Sequence, residues 1–186
     1  MRPVSWGDIG RMRQQVRDAV RRALIRLLEE DGCLFACPIE EEFGYDARKL
    51  HEVCINHRLA GHLEREILPL LAAYGPMFVD IEFNREGLNY KEITMDGEKQ
   101  RVRPDIIIHN RKSGDDKLNF LVAECKKAGS GDKAIADDRK KIEALMLDQK
   151  YAYSFGLQVV YGTEPATATF FAEGNEGIER DTIDYS

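Results

Sequence analysis

Three charged side chains sit where apolar strands would be expected to exclude them. In RVRPDIIIHN (101–110), Asp105 directly precedes Ile106, Ile107 and Ile108. In LNFLVAECKK (118–127), Glu124 and Lys126 close the run from Leu118 to Ala123. Strand side chains alternate, so Glu124 and Lys126 share a face. The two segments read as neighbouring strands of a hairpin, which sets Asp105 across the ladder from Glu124. Carboxylates that close repel and raise each other's pKa unless a cation lies between them. A hard divalent ion, Mg2+ or its substitute Mn2+, accepts carboxylate oxygens and keeps several waters. Lys126 could hold or help deprotonate one of those waters, an arrangement suited to metal-assisted phosphodiester hydrolysis. The plainer reading is that strands end where charges begin. Glu124 to Lys127 then emerges into solvent, and Asp105 is a turn carboxylate beside Pro104.

These residues need elements to hold them. Ile9, Met12, Val16, Ala19, Ala23 and Leu27 recur at helical spacing, predicting an amphipathic helix over residues 8 to 30 with Arg13, Arg17 and Arg21 on its other face. That face is expected to be solvated, or to serve as a phosphate-contacting or dimer-forming arm. Asp46 is placed to cap a second helix running to Leu68, with Val53, Asn56, Ala60, Leu63 and Ile67 as its buried stripe and Pro69 ending it. Strands are expected over 77–83, 88–95, 100–109 and 117–126, with Asp96-Gly97 as a hairpin turn. A third helix over 133–150, capped by Asp132, and strands over 157–161 and 166–172 follow. The ending EGNEGIERDTIDYS is expected to fray. The chain thus divides into an N-terminal arginine-rich helix and loop (1–45), a core (46–172) and an acidic tail (173–186). The fold class is mixed α/β, a sheet flanked by helices.

Composition narrows the function classes. A chain of 186 residues, 43% hydrophobic and 32% charged, has the make-up of a globular domain rather than a disordered one. No apolar run reaches the length of a membrane span, and the first residues carry no secretory h-region, so a cytoplasmic protein is expected. Four cysteines without paired zinc spacing suggest reduced thiols. The net charge of −6 hides an asymmetry: residues 1 to 28 hold seven arginines against Asp8 and Asp18, which leaves the remainder at −11. An acidic body argues against bulk affinity for nucleic acid but leaves room for a local basic patch.

Pro104-Asp105 followed by Glu124-Cys125-Lys126 resembles the signature of the PD-(D/E)xK nuclease superfamily, the restriction-endonuclease-like fold. Residues 52–60 (EVCINHRLA) resemble its first core helix, Asp80 to Arg85 the strand and turn after it, and Asp138 to Lys141 the helix after the Glu-x-Lys strand. The likeness spans residues 46 to 162. It implies that Asp105 and Glu124 are metal ligands, that Lys126 positions water or stabilises charge, and that Glu52 is an accessory metal-binding acid. Glu64 is the rival to Glu52 on the same helix, while Glu66 is expected to be solvated. Arg58, Arg85 and Lys127 are candidate contacts to a nucleic-acid backbone, DNA rather than RNA, and a homodimer is a further expected partner. The competing class is a binding protein on the same scaffold that catalyses nothing.

Overall fold

The structure, a computed structural model, describes residues 6–34, 51–86, 89–95, 97–112, 114, 117–163 and 165–186. Helix α1 spans Trp6–Asp31, α2 Glu52–Ile67 and α3 Asp132–Leu147. Ten strands run β1 Phe78–Ile81, β2 Arg85–Glu86, β3 Asn89–Tyr90, β4 Glu92–Met95, β5 Glu98–Arg101, β6 Ile106–His109, β7 Asn119–Lys127, β8 Phe155–Tyr161, β9 Thr167–Gly174 and β10 Gly177–Asp184. Six form one sheet in the order β1-β6-β7-β8-β9-β10, and β2-β3 and β4-β5 are separate hairpins. All neighbours in the large sheet are antiparallel except β7 and β8, which α3 connects in parallel. The expected cap Asp46 lies outside the described residues.

Alternation along the strands sorts the sheet into two faces. Ile106, Ile108, Leu121, Ala123, Cys125, Leu157 and Val159 pack under α1 and α2. Ile107 and Val122 turn the other way, joining Ile142 and Leu145 of α3 and Ile93 and Val102 of the hairpins. Glu124 and Lys126 have the parity of Val122 and therefore look toward α3. That helix lies close to β8 because position 156 is glycine. A Cβ there would stand 2.3 Å from Ile142 Cγ2, 3.0 Å from Met146 Sδ and 3.1 Å from Phe171 Cβ. Gly156→Ala should accordingly cost at least about 1–3 kcal/mol as α3 is pushed off the sheet. A denaturant midpoint unchanged from wild type would show that α3 has room to spare.

Several expected elements are corrected. Residues 177–184 do not fray: they form β10, paired with β9 along its whole length, from Gly177 opposite Gly174 to Asp184 opposite Thr167. The arginine face of α1 is also engaged by the tail, although Arg21 stays exposed. Arg13 pairs with Glu179 (2.5 Å) and Asp181 (2.7 Å), Arg17 donates to the Thr182 carbonyl and Arg21 to the Asp184 carbonyl. Helix and tail therefore complete each other, because an edge strand presents unpaired carbonyls and this one also carries acids. Val16 to Leu27 and Ile183 share one apolar cluster with the sheet, so the segments expected to be arm and tail pack as part of the body.

On α2 the stripe is rotated from the expected one. Val53 is 39% exposed, whereas Ile55, Leu59 and His62 are buried beside Asn56, Ala60, Leu63 and Ile67. Glu66 is not solvated: it receives Arg22 (2.7 Å) and Arg26 (2.9 Å) from α1. Asp31 joins the same two helices through His62 and Arg58. The strand expected over 100–109 is broken into β5 and β6 around Pro104, which cannot donate to a ladder. Helix α3 begins after Gly131 without a side-chain cap and ends at Leu147, short of Lys150. Among the described residues no helix is long and apolar enough to cross a membrane.

Candidate functional site

The acids and lysine singled out in the sequence meet at one end of the sheet. The β6–β7 register pairs Ile106 with Ala123, so Asp105, one step before β6, faces the level of Glu124. Asp105 Oδ2 accepts the Cys125 main-chain N–H at 2.8 Å. Glu52 opens α2 and reaches the cluster from the other side: its carboxylate lies 3.6 Å from Lys126 Nζ and accepts the Lys127 N–H.

Two residues on α3 complete the arrangement. Lys141 Nζ lies 2.6 Å from Glu124 Oε2 and 3.3 Å from Asp138 Oδ1. Asp138 Oδ2 has the Lys126 ammonium at 3.1 Å as an ion-pair contact, though not at a hydrogen-bonding angle. Four carboxylates (Glu52, Asp105, Glu124, Asp138) thus converge on two ammoniums (Lys126, Lys141). Beneath them Gln158, the register neighbour of Glu124 on β8, accepts from Arg139 and donates to the Ile135 carbonyl at 2.6 Å, tying α3 to the sheet.

Burial sets the electrostatics. Glu124 is 1% exposed, and burial pushes its carboxyl up to about 8 despite the opposing pull of Lys141. Burial likewise raises Asp105, outweighing the Cys125 N–H and the nearby lysines, and it raises Glu52 against Lys126. For the two lysines burial acts in the opposite sense and is overridden. Asp138, Asp105 and Glu52 hold Lys126 protonated well above its ordinary range, and Glu124 and Asp138 do the same for Lys141. The thiol of Cys125 is fully buried, which pushes it far up and makes it no nucleophile.

The donor chemistry fits a hard divalent cation at Asp105 and Glu124. Both offer carboxylate oxygens, and Glu124 Oε1 is buried without a hydrogen-bond partner. The third ligand is not gathered: among the described residues no three His, Cys, Asp or Glu side chains are grouped so as to hold a metal ion. Glu52 faces Lys126 instead.

The other candidates scatter. Arg58 binds Asp31 at 2.7 Å and lines a groove of about 660 Å3 between α2 and β1. Glu64, the rival acid, lines that groove as well, whereas Glu52, Asp105, Glu124 and Lys126 do not. That groove is thus not where the chemistry is, and Glu30, Glu64 and Asp80 beside Arg58 and Arg65 in its lining give an anion little purchase. Arg85 lies on β2 in the hairpins beyond Asp105, its guanidinium over the Tyr90 ring. Lys127 is beside the cluster but of opposite strand parity to Lys126.

Asp138, Lys141 and Gln158 had no assigned role in the sequence reading. The signal for the first two is their i, i+3 spacing on a helix following Glu-x-Lys, and for Gln158 a lone amide in the apolar run Phe155–Tyr161. Asp138→Asn should destabilise the protein by about 1–3 kcal/mol, because it takes a carboxylate from two partly buried ammoniums. It should also lower the Lys126 pKa measured by NMR. An unmoved unfolding midpoint together with an unmoved Lys126 titration would show that Asp138 holds neither lysine. Comparison with family models, with curated proteins and with solved structures finds no match to this chain.

Proposed function

We propose that the chain is a magnesium-dependent nuclease of the restriction-endonuclease-like class, hydrolysing phosphodiester bonds in DNA rather than RNA. The observation that carries the reading is the pair Asp105 and Glu124 on adjacent strands, with Glu124 Oε1 buried and unpartnered and Lys126 on the same face as Glu124. A solvated strand end would not bury its acid to 1% exposure.

In this reading Asp105 and Glu124 hold the ion and Glu52 is the accessory acid at the rim. Magnesium supplies charge neutralisation at the scissile phosphate. Lys126 acts as a donor rather than a base, since three carboxylates keep its ammonium protonated. Its N–H groups orient the attacking water and stabilise oxyanion charge on the phosphate. Asp138 fixes the Lys126 ammonium from α3, and Lys141 restrains Glu124 through Oε2, leaving Oε1 for the ion.

A second reading has its own observation. Lys126 and Lys141 already compensate the acids, which suits a binding protein that holds no productive metal. Plasmid nicking in magnesium or manganese, beside the same reaction with Glu124→Gln, separates the two. Divalent-dependent nicking that disappears in the variant supports the nuclease; equal nicking by both proteins, or none by either, removes it.

A further inference from the structure

The acid cluster holds its two ammoniums in unequal ways. Lys126 Nζ lies 3.1 Å from Asp138 Oδ2 and 3.6 Å from Glu52 Oε1, and it donates to the Cys125 carbonyl on its own strand. None of these acceptors belongs to Asp105 or Glu124. Lys141 Nζ, by contrast, stands 2.6 Å from Oε2 of Glu124, the carboxylate whose Oε1 is buried and unpartnered. A divalent ion taken at Oε1 would therefore face a full positive charge across a single carboxyl group. Like charges so close repel strongly where burial excludes water.

The lysine is the partner able to yield. Its side chain is 23% exposed where that of Glu124 is 1%, so the ammonium has a way out and the carboxylate has none. Asp138 Oδ1, 3.3 Å from Lys141 Nζ and about one turn back on α3, keeps a contact with the ammonium when Glu124 is released. The four-carbon stem lets the charge move without the helix, which Gly156 allows to lie close on β8. An ammonium that leaves one carboxylate needs another anion, and a phosphodiester brought to Asp105 and Glu124 supplies it. Lysine suits that exchange, being a mobile point charge that binds phosphate without fixed geometry.

We propose that Lys141 couples substrate binding to metal binding. In the free protein its ammonium holds Glu124 against the ion, and on substrate binding it passes to a phosphate oxygen and leaves Glu124 to the ion. The divalent ion and the phosphodiester then promote each other's binding by the same factor. The inference rests on the nuclease reading for the identity of the ligands, Asp105 and Glu124, and of the anion.

The test titrates manganese into the full chain, without and with a short DNA duplex, following loss of the free-ion electron paramagnetic resonance signal. The duplex carries phosphorothioate linkages, which are charged and resist hydrolysis; a methylphosphonate duplex of the same sequence is the uncharged control. For wild type the charged duplex should tighten manganese binding at least roughly fivefold and the uncharged one should not. Lys141→Gln keeps a donor for Glu124 and lacks the charge. It should bind manganese at least roughly fivefold more tightly than wild type without DNA, and the charged duplex should then add less than about twofold. Lys141→Met should behave alike, and melting curves confirm that both variants fold. Manganese affinity unchanged in both variants, or full coupling retained in them, overturns the proposal. A wild type that the two duplexes affect equally overturns it as well. Lys141-dependent coupling in a protein that nicks nothing supports it while removing the nuclease reading. Glu124-dependent nicking with manganese affinity indifferent to Lys141 does the reverse.

Discussion

Glu124→Gln is expected to abolish divalent-dependent nicking and to leave the metal-free protein as stable as wild type or more so. The reason is the position of the carboxyl: almost wholly buried, with its titration raised to about 8 and one oxygen unpartnered. The folded protein therefore keeps a proton that the unfolded chain releases near the ordinary value of 4.5. Stability from this group is fully present below pH of about 4.5 and is lost as pH rises through about 8. The loss is on the order of a few kcal/mol at most. Wild type should thus melt at falling temperatures across that window, and the variant, with no proton to lose, should show a flatter profile. Glutamine keeps the shape and an oxygen for Lys141, which limits disruption.

With manganese the contrast inverts. Wild type should gain stability of RT ln(1 + [L]/Kd) from binding, and a higher melting temperature with it, and Glu124→Gln should gain none. Lys126→Ala should retain the manganese shift, since the lysine is no ligand, while losing turnover. A Glu124→Gln protein that still nicks, or that melts well below wild type at pH 8 without metal, would falsify the assignment and make the acid a structural one.

A chain beginning after Asp31 should not fold. Val16, Ala19, Val20, Ala23, Leu24 and Leu27 are at most 1% exposed, packed in one cluster with Leu59, Leu63 and Ile67 of α2. Burying the four larger side chains contributes about 6–12 kcal/mol, comparable to the whole stability of a domain. Removing α1 also takes Arg22 and Arg26 from Glu66, Asp31 from His62 and Arg58, and the arginines from the edge of β10. The expected result is loss of a cooperative melt and of dispersed amide resonances; a truncated chain with a sharp transition would overturn it. Leu24→Ala in the full chain is the graded version, expected to cost about 2–5 kcal/mol. Because the apolar stripe is covered by the chain's own body, it offers a second copy nothing to bind. Light scattering of the full chain should give no α1-dependent dimer.

Local pattern determined a good deal of this molecule. The period of Met12 to Leu27 specifies α1, the isoleucine run and Leu118–Ala123 specify β6 and β7, and Gly97, at φ 84°, turns β4 into β5. The same pattern placed Asp105, Glu124 and Lys126 together, because a two-residue period and an adjacent pairing dictate which side chains share a face. What it could not supply was the identity of the neighbours brought in by tertiary packing. EGNEGIERDTIDYS reads as a tail since its acids look solvated, and it becomes β10 only when the arginines of α1 meet those acids and cap its free carbonyls. Glu66 looks exposed on a single helical wheel, and two arginines 44 and 40 residues away cover it. Asp138 and Lys141 are ordinary helix charges until Gly156 lets α3 lie close on β8 and delivers them to Glu124 and Lys126. Periodicity is a property of adjacent residues, legible along the chain; charge compensation at a buried site depends on which distant segments desolvate each other, and only the packed structure decides that.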